Sequence, residues 1–411
     1  MDNTVPGDVA ELAKRTTEFI RDVVMPVELE VEGVIHNAPD ELRRSLQQQA
    51  AEAGLLAPHV PKEWGGCGLD VRGQSVVFEE AGYSLLGPLA LNCAAPDEGN
   101  MHLLERVANE EQKEQYLRPL AAGEIRSTFA MTEPAPGAGS DPAMLTTAAT
   151  KVDGGWRIDG RKWFISGARG AGFAICMART SGAPGDRGGA TMFLVDADNP
   201  GMRVVRDLDT LDEGLFGGHG EVVFDNCKVG PASVLGELDK GFEYAQVRLA
   251  PARLTHCMRW LGLARHAHDI SVDWAATRKS FGGVLGDLGM VQQMIADSEI
   301  DMAASRALIR QTAAVLDSGE KGGTESSIAK TFVAEAVNRV VDRSVQICGA
   351  LGISGDVLLS RYLREVRPFR IYDGPSEVHR WAIGRRVVSQ RRRAIEAGEQ
   401  PRFTTNAGAL S

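Results

Sequence analysis

Apolar positions recur at helical spacing through the first part of the chain. They do so over residues 10–24 and again over 41–53, where Gly54 stops the run. A glycine-rich loop follows, Pro61-Lys62-Glu63-Trp64-Gly65-Gly66-Cys67-Gly68, and helical texture returns over 71–86 and 100–120. Near Ile125 the period changes. Short apolar runs alternate with turn sequences (Asp153-Gly154-Gly155, Asp159-Gly160, Ser181-Gly182, Asn199-Pro200-Gly201), which predicts strands at 172–177, 190–195 and 221–224. From Gly241 helical sequence resumes. Phe332, Val333, Ala336, Val340, Val341, Val345 and Cys348 keep the helical interval, as the core stripe of a bundle does. The pattern predicts an α+β multidomain chain: a helical domain over 1–125, an antiparallel β-domain over 126–235, a helical bundle over 236–395, and a loose polar tail over 396–411.

A chain of 411 residues exceeds what one core usually holds, in keeping with several packed units. Its 43% apolar and 24% charged residues are those of a globular protein, and no apolar stretch is long enough to span a bilayer. A net charge of −10 with no basic block to offset it argues against a nucleic-acid partner. The N-terminal segment is acidic early and lacks a signal-peptide core, so a cytoplasmic, bacterial setting is expected. Cys67, Cys93, Cys176, Cys227, Cys257 and Cys348 lie far apart without a CxxC pair, which suits reduced thiols. His266 and His268 are two apart and do not share a helix face, so no metal site is expected.

The segment Arg370-Ile371-Tyr372-Asp373-Gly374-Pro375-Ser376-Glu377-Val378-His379-Arg380 carries the sharpest chemistry. It sets one acid on a tight Gly-Pro turn after a long helical run. A carboxylate on such a turn can be aimed as a base for a carbon-bound proton, although Asp-Gly-Pro is also a good turn sequence in its own right. Met131-Thr132-Glu133-Pro134 and Gly137-Ala138-Gly139-Ser140-Asp141 open the β-region. Their small residues would let backbone N–H groups approach an anionic or π-rich ligand, as would those of an ordinary loop. In Gly160-Arg161-Lys162-Trp163-Phe164-Ile165-Ser166-Gly167-Ala168, Phe164 and Ser166 alternate, putting a ring and a hydroxyl on one strand face for a flat cofactor or a core. Arg278-Lys279-Ser280-Phe281-Gly282 interrupts a helical stretch, and Gln346-Ile347-Cys348-Gly349-Ala350-Leu351-Gly352 ends another. Each suits a cap or a phosphate or ribose contact.

In this order and spacing these segments resemble the acyl-CoA dehydrogenase family, over nearly the whole chain from Pro61 to Arg385. The resemblance implies an N-terminal helical domain, a middle β-domain and a C-terminal four-helix bundle. FAD would lie between the last two, its site completed by a second subunit of a homodimer or homotetramer. Thr132 and Ser166 match positions that hydrogen-bond the flavin ring, and Phe164 falls where many relatives have tryptophan. Met131, Gly139, Ser140 and Glu377 match the cofactor surroundings. Arg278, Phe281, Gln346 and Gly349 match residues that reach the partner subunit's FAD. Asp373 occupies the position of the catalytic carboxylate and Arg253 that of the arginine steadying it. Ser140, His219, Arg253, Tyr372 and Gly374 match the acyl-CoA surroundings.

The departures are informative. Most relatives carry Glu-Gly-Thr where this chain has Asp373-Gly374-Pro375, and Ala252 closes the alternative position for a base. Gly217-Gly218-His219, the segment 92–101 and Arg253 with His256-Cys257-Met258-Arg259 resemble the subgroup of human family members ten and eleven and bacterial counterparts. Asp-Gly-Pro is that subgroup's pattern too. The resemblance implies α,β-dehydrogenation of an acyl-CoA to the trans-2-enoyl-CoA, with hydride passing to flavin N5 and electrons leaving to an electron-transferring flavoprotein. The alternatives are a nitroalkane-oxidase-like flavin oxidase, elimination from a γ-oxygenated acyl-CoA without net oxidation, and an FAD-free scaffold.

Overall fold

The computed structural model describes residues 5–400 and residue 402, so most of the expected tail lies outside the described residues. Helix α1 (Gly7–Phe19) continues through a wider turn at Ile20–Val24 into Met25–Glu30. It is followed by α2 (Asp40–Glu52), α3 (Val71–Ala81) and α4 (Asp97–Val107). The Asp70 carboxylate caps α3 by accepting from the Gly73 N–H at 2.7 Å. These helices do not hold a core of their own. Phe19, Val77 and Phe78 join Leu254, Met258, Val333 and Val337, from the far end of the sequence, in one buried cluster. Gly82 and Gly262 make that approach possible, because a Cβ on either would strike the backbone carbonyl of Arg259 or Glu79 on the facing segment.

The middle of the chain folds into eight strands: β1 (Ser127–Ala130), β2 (Ala148–Val152), β3 (Gly155–Ser166), β4 (Phe173–Arg179), β5 (Ala190–Asp196), β6 (Met202–Asp207), β7 (His219–Val229) and β8 (Val234–Leu235). Their order is β6-β7-β3-β2-β4-β5-β8, with β1 beside β4. The sheet is mostly antiparallel, as the turn spacing predicts, but β1 runs parallel to β4 and β2 touches β4 in the same sense. The start of β1 is tied to α4, since Ser127 donates to Asp97 through both its N–H (2.7 Å) and its hydroxyl (2.6 Å).

The C-terminal part consists of α5 (Gly241–Thr277), a small hairpin of β9 (Lys279–Ser280) and β10 (Gly283–Val284), α6 (Gly289–Asp317), α7 (Gly323–Cys348), α8 (Leu359–Val366) and α9 (Ser376–Glu396). Helix α7 packs against α5, α6, α8 and α9. Its stripe of Val333, Ala336, Val340, Val341, Val345 and Cys348 is buried, and Phe332 half-buried, as the periodicity requires. Helix α9 buries only Ser376 and His379. His266 bonds Tyr362, and His268 faces Glu299. All six cysteines are free. Among the described residues no helix is long and apolar enough to cross a membrane.

Candidate active site

Asp373 sits between the turn Arg367–Arg370 and α9 with φ +54, a left-handed conformation that aspartate tolerates better than most residues. The following residue is committed to glycine: Gly374 has φ +95, and a Cβ there would lie 2.6 Å from His379 Nε2. Donors from three helices clamp this turn. Arg253 Nε of α5 donates to the Asp373 carbonyl at 3.0 Å, His379 Nε2 of α9 meets the same oxygen at 3.0 Å, and Lys330 Nζ of α7 donates to the Gly374 carbonyl at 2.6 Å. The backbone is held while the carboxylate is left over. Its Oδ2 is buried without a hydrogen-bond partner.

His256 Nε2 stands 3.4 Å from that oxygen. His256 Nδ1 faces Arg259 Nη2 at 3.1 Å. A guanidinium can only donate, so Nδ1 accepts and the hydrogen of the neutral ring sits on Nε2, near Asp373 Oδ2 without making a hydrogen bond to it. Burial pushes the His256 pKa down to about 3. Burial also opposes ionisation of Asp373, but the adjacent His256 ring and the cations of Arg248, Arg253 and Lys330 outweigh it and hold the carboxyl below its usual range. Lys330, itself brought down to about 8 by burial, remains largely protonated at neutral pH. The site therefore presents an ionised carboxylate with an unused oxygen.

The sequence reading brought out Asp373 and Arg253 but assigned no role to Arg248, His256, Lys330 or His379. A signal was present for one of them, because 253, 256 and 259 are three apart and share a face of α5. Tyr372, expected at the substrate, is engaged by the residues around Asp373. Its hydroxyl accepts from Trp260 Nε1, and its ring packs on His256 and Phe369.

A second group forms on the sheet. The Trp163 N–H donates to the Thr132 carbonyl at 3.1 Å, and Lys162 Nζ donates to the Met131 carbonyl at 3.0 Å, which holds Met131 and Thr132 beside β3. Simple alternation does not carry Phe164 and Ser166 here. A bulge between Lys162 and Ile165 puts Phe164 at φ +52 and leaves its ring 49% exposed beside that of Trp163. Ser166 Oγ meets His219 Nδ1 at 3.2 Å, and His219 Nε2 meets Asp212 Oδ2 at 2.9 Å. Both ring nitrogens of His219 are thus engaged, leaving neither for the substrate contact expected of it. Gly139 has open space where a Cβ would be, and Ser140 and Glu377 are exposed.

A third group lies at one end of the bundle. Ala275 and Ile347 share a small apolar cluster, so the ends of α5 and α7 meet there. Arg278 stacks on Trp274, Phe281 is 87% exposed, and Gln346 and Gly349 face outward. These four do not approach Asp373 within the subunit by any contact found.

An exposed aromatic ring at the bulge of β3 fits a planar ring cofactor. With an ionised base on a clamped turn, the arrangement is that of a flavin-dependent oxidoreductase. The chain belongs to the acyl-CoA dehydrogenase family: residues 8–124 match its N-terminal domain, 128–227 its middle domain and 239–388 its C-terminal domain. That family is FAD-dependent. Probable acyl-CoA dehydrogenase FadE2 of Mycobacterium tuberculosis is 34% identical over 97% of this chain and 99% of its own length. Acyl-CoA dehydrogenase family member 10 of Mus musculus is also 34% identical, over 94% of this chain but only 38% of that longer protein. Among solved structures, butyryl-CoA dehydrogenase from Megasphaera elsdenii superposes with a TM-score of 0.84 at 26% identity, covering 94% of this chain and all of that one.

Proposed function

We propose that the protein dehydrogenates an acyl-CoA thioester between its α and β carbons, with Asp373 taking the α-proton. The observation that carries this reading is the buried Oδ2 of Asp373, ionised and without a hydrogen-bond partner on a turn held by Arg253, His379 and Lys330. A base whose backbone is fixed and whose lone pair is unspent is prepared for a proton from carbon. Bound FAD supplies the acceptor for the β-hydride. Thr132, Phe164 and Ser166 would hold its ring, and Asp373 would take the proton. An acyl chain filling the site would exclude water and raise the Asp373 pKa, strengthening the base when it is needed.

A basic pocket on α9 is a candidate for the coenzyme A phosphates in this reading. Arg187, Arg385, Arg386 and Arg393 line this open pocket of about 480 Å³ with Trp381. Guanidinium groups suit phosphates, and Arg385 already covers the Trp381 ring. Electron-transferring flavoprotein is the electron acceptor in this reading. The exposed Arg278, Phe281, Gln346 and Gly349 would serve the FAD of a second subunit, so the protein should be a homodimer or homotetramer. Sedimentation that finds an FAD-loaded monomer would count against that assembly.

The test is anaerobic addition of straight and branched acyl-CoAs to the yellow protein. Bleaching of the flavin by at least one, with turnover in the presence of a dye, is expected. Peroxide formed in step with turnover in air would replace the dehydrogenase with an oxidase. Product formed while the flavin stays oxidised would replace it with an elimination. Lack of any reaction across the panel would remove acyl-CoA as substrate.

A further inference from the structure

Ser166 is the residue of β3 expected to meet the flavin ring, and its hydroxyl is already bonded to His219 on β7. His219 is in turn held by Asp212, in the segment between β6 and β7. That segment is anchored from the bundle: Glu365 of α8 accepts from the N–H groups of Glu213 (2.7 Å) and Gly214 (3.0 Å), while Arg361 pairs with Glu213. Burial works against ionisation of Asp212, but its bonds from His219 and Thr210 outweigh this and keep its carboxyl below the ordinary range.

With a neutral His219 ring these contacts give a direction. A carboxylate only accepts, so His219 Nε2 carries the hydrogen toward Asp212. In the neutral ring Nδ1 is then an acceptor, and the one donor that faces it is the Ser166 O–H. With its only proton spent on His219, Ser166 can turn nothing but lone pairs outward. Flavin N5 accepts a hydrogen bond when oxidised and donates one, as N5–H, when reduced. A serine that can only accept matches the reduced ring and mismatches the oxidised one.

We propose that Asp212 and His219 are positioning residues that lock Ser166 as a hydrogen-bond acceptor toward flavin N5, favouring the reduced cofactor and so raising its reduction potential. This rests on the flavoprotein reading above, and on no assumption about the acyl substrate.

Redox titration of the FAD-loaded protein tests it. Asp212→Asn removes the carboxylate that fixes the ring hydrogen on Nε2, and an amide turned to donate there leaves that hydrogen on Nδ1 and frees the Ser166 proton for the flavin. The ratio of reduced to oxidised FAD at a given potential should fall about tenfold, a shift of ~30 mV to the negative for a two-electron couple. His219→Phe, which removes the acceptor altogether, should shift the potential in the same direction. In a Ser166→Ala background neither substitution should add anything. Nitrogen NMR of the parent should show His219 as the neutral Nε2–H form. An unchanged potential in both variants overturns the proposal, as does a shift that survives in the Ser166→Ala background or a ring hydrogen found on Nδ1. Failure of the protein to bind FAD would instead sink the flavoprotein reading, so the two failures are distinguishable.

Discussion

Asp373→Asn should leave FAD bound and cut flavin reduction by acyl-CoA roughly 10²–10⁴-fold, the range that a positioned base contributes. The substitution is nearly isosteric, and the contacts holding the turn go to the carbonyls of Asp373 and Gly374 and not to the carboxylate. The turn should therefore keep its shape while losing the group that takes the proton. Stopped-flow bleaching measures this directly, and a variant within a few-fold of the parent would place the base elsewhere. Asp373→Glu is the informative companion. The family resemblance implies a glutamate here in most relatives, so a drifted site would speed up on restoring it. The structure argues the reverse. His256 Nε2 stands 3.4 Å from Oδ2, and an added methylene pushes the carboxylate into that ring. Overpacking costs about 1–3 kcal/mol, and the rate should fall about tenfold or more.

Glu133→Gln is expected to be the most damaging substitution for the β-domain, lowering unfolding free energy by roughly 3–5 kcal/mol. Glu133 and Lys162 form an ion pair of 2.9 Å in which both side chains are fully buried. The carboxylate also accepts from the N–H groups of Ala138 (3.2 Å), Thr146 (2.7 Å) and Thr147 (2.8 Å) and from the Thr146 hydroxyl (2.6 Å). A glutamine would aim an NH₂ group at donors and leave the Lys162 ammonium uncompensated. Burial alone would raise the Glu133 pKa, but Lys162 and the threonine donors bring it down to about 2. A folded-state pKa below the unfolded one stabilises at higher pH. This contribution is complete above about pH 4.5 and is lost as pH falls toward 2. Urea denaturation of parent and variant at neutral and acidic pH checks both parts. A loss below about 1 kcal/mol at neutral pH would mean that the pair does not carry the loop.

The two substitutions also mark where sequence reading stops. The helix–sheet–helix order was legible because hydrophobic period is a local property. Spacing of three and four over 332–348 and short runs between glycine turns over 153–201 depend on neighbours along the chain, and the elements formed there. Asp373 was legible for a related reason, since a Gly-Pro turn constrains the residues beside it whatever surrounds them. The parallel pairing of β1 with β4 was not legible, because strand direction depends on where α4 delivers the chain.

Much of the site itself was decided by tertiary structure. Asp212 lies seven residues before His219 with no motif to join them, and Glu365 reaches the same segment from α8, far along the sequence. The cations beside Asp373 come from α5 and α7, and the imidazole that meets its carbonyl from α9. Sequence alone determined which residue types stood where, which elements they formed, and that an acid occupied a constrained turn. Whether that acid was buried, ionised and left with an unused oxygen was determined only by packing. Burial and charge act through space, and the groups responsible are brought together by three helices meeting at one turn.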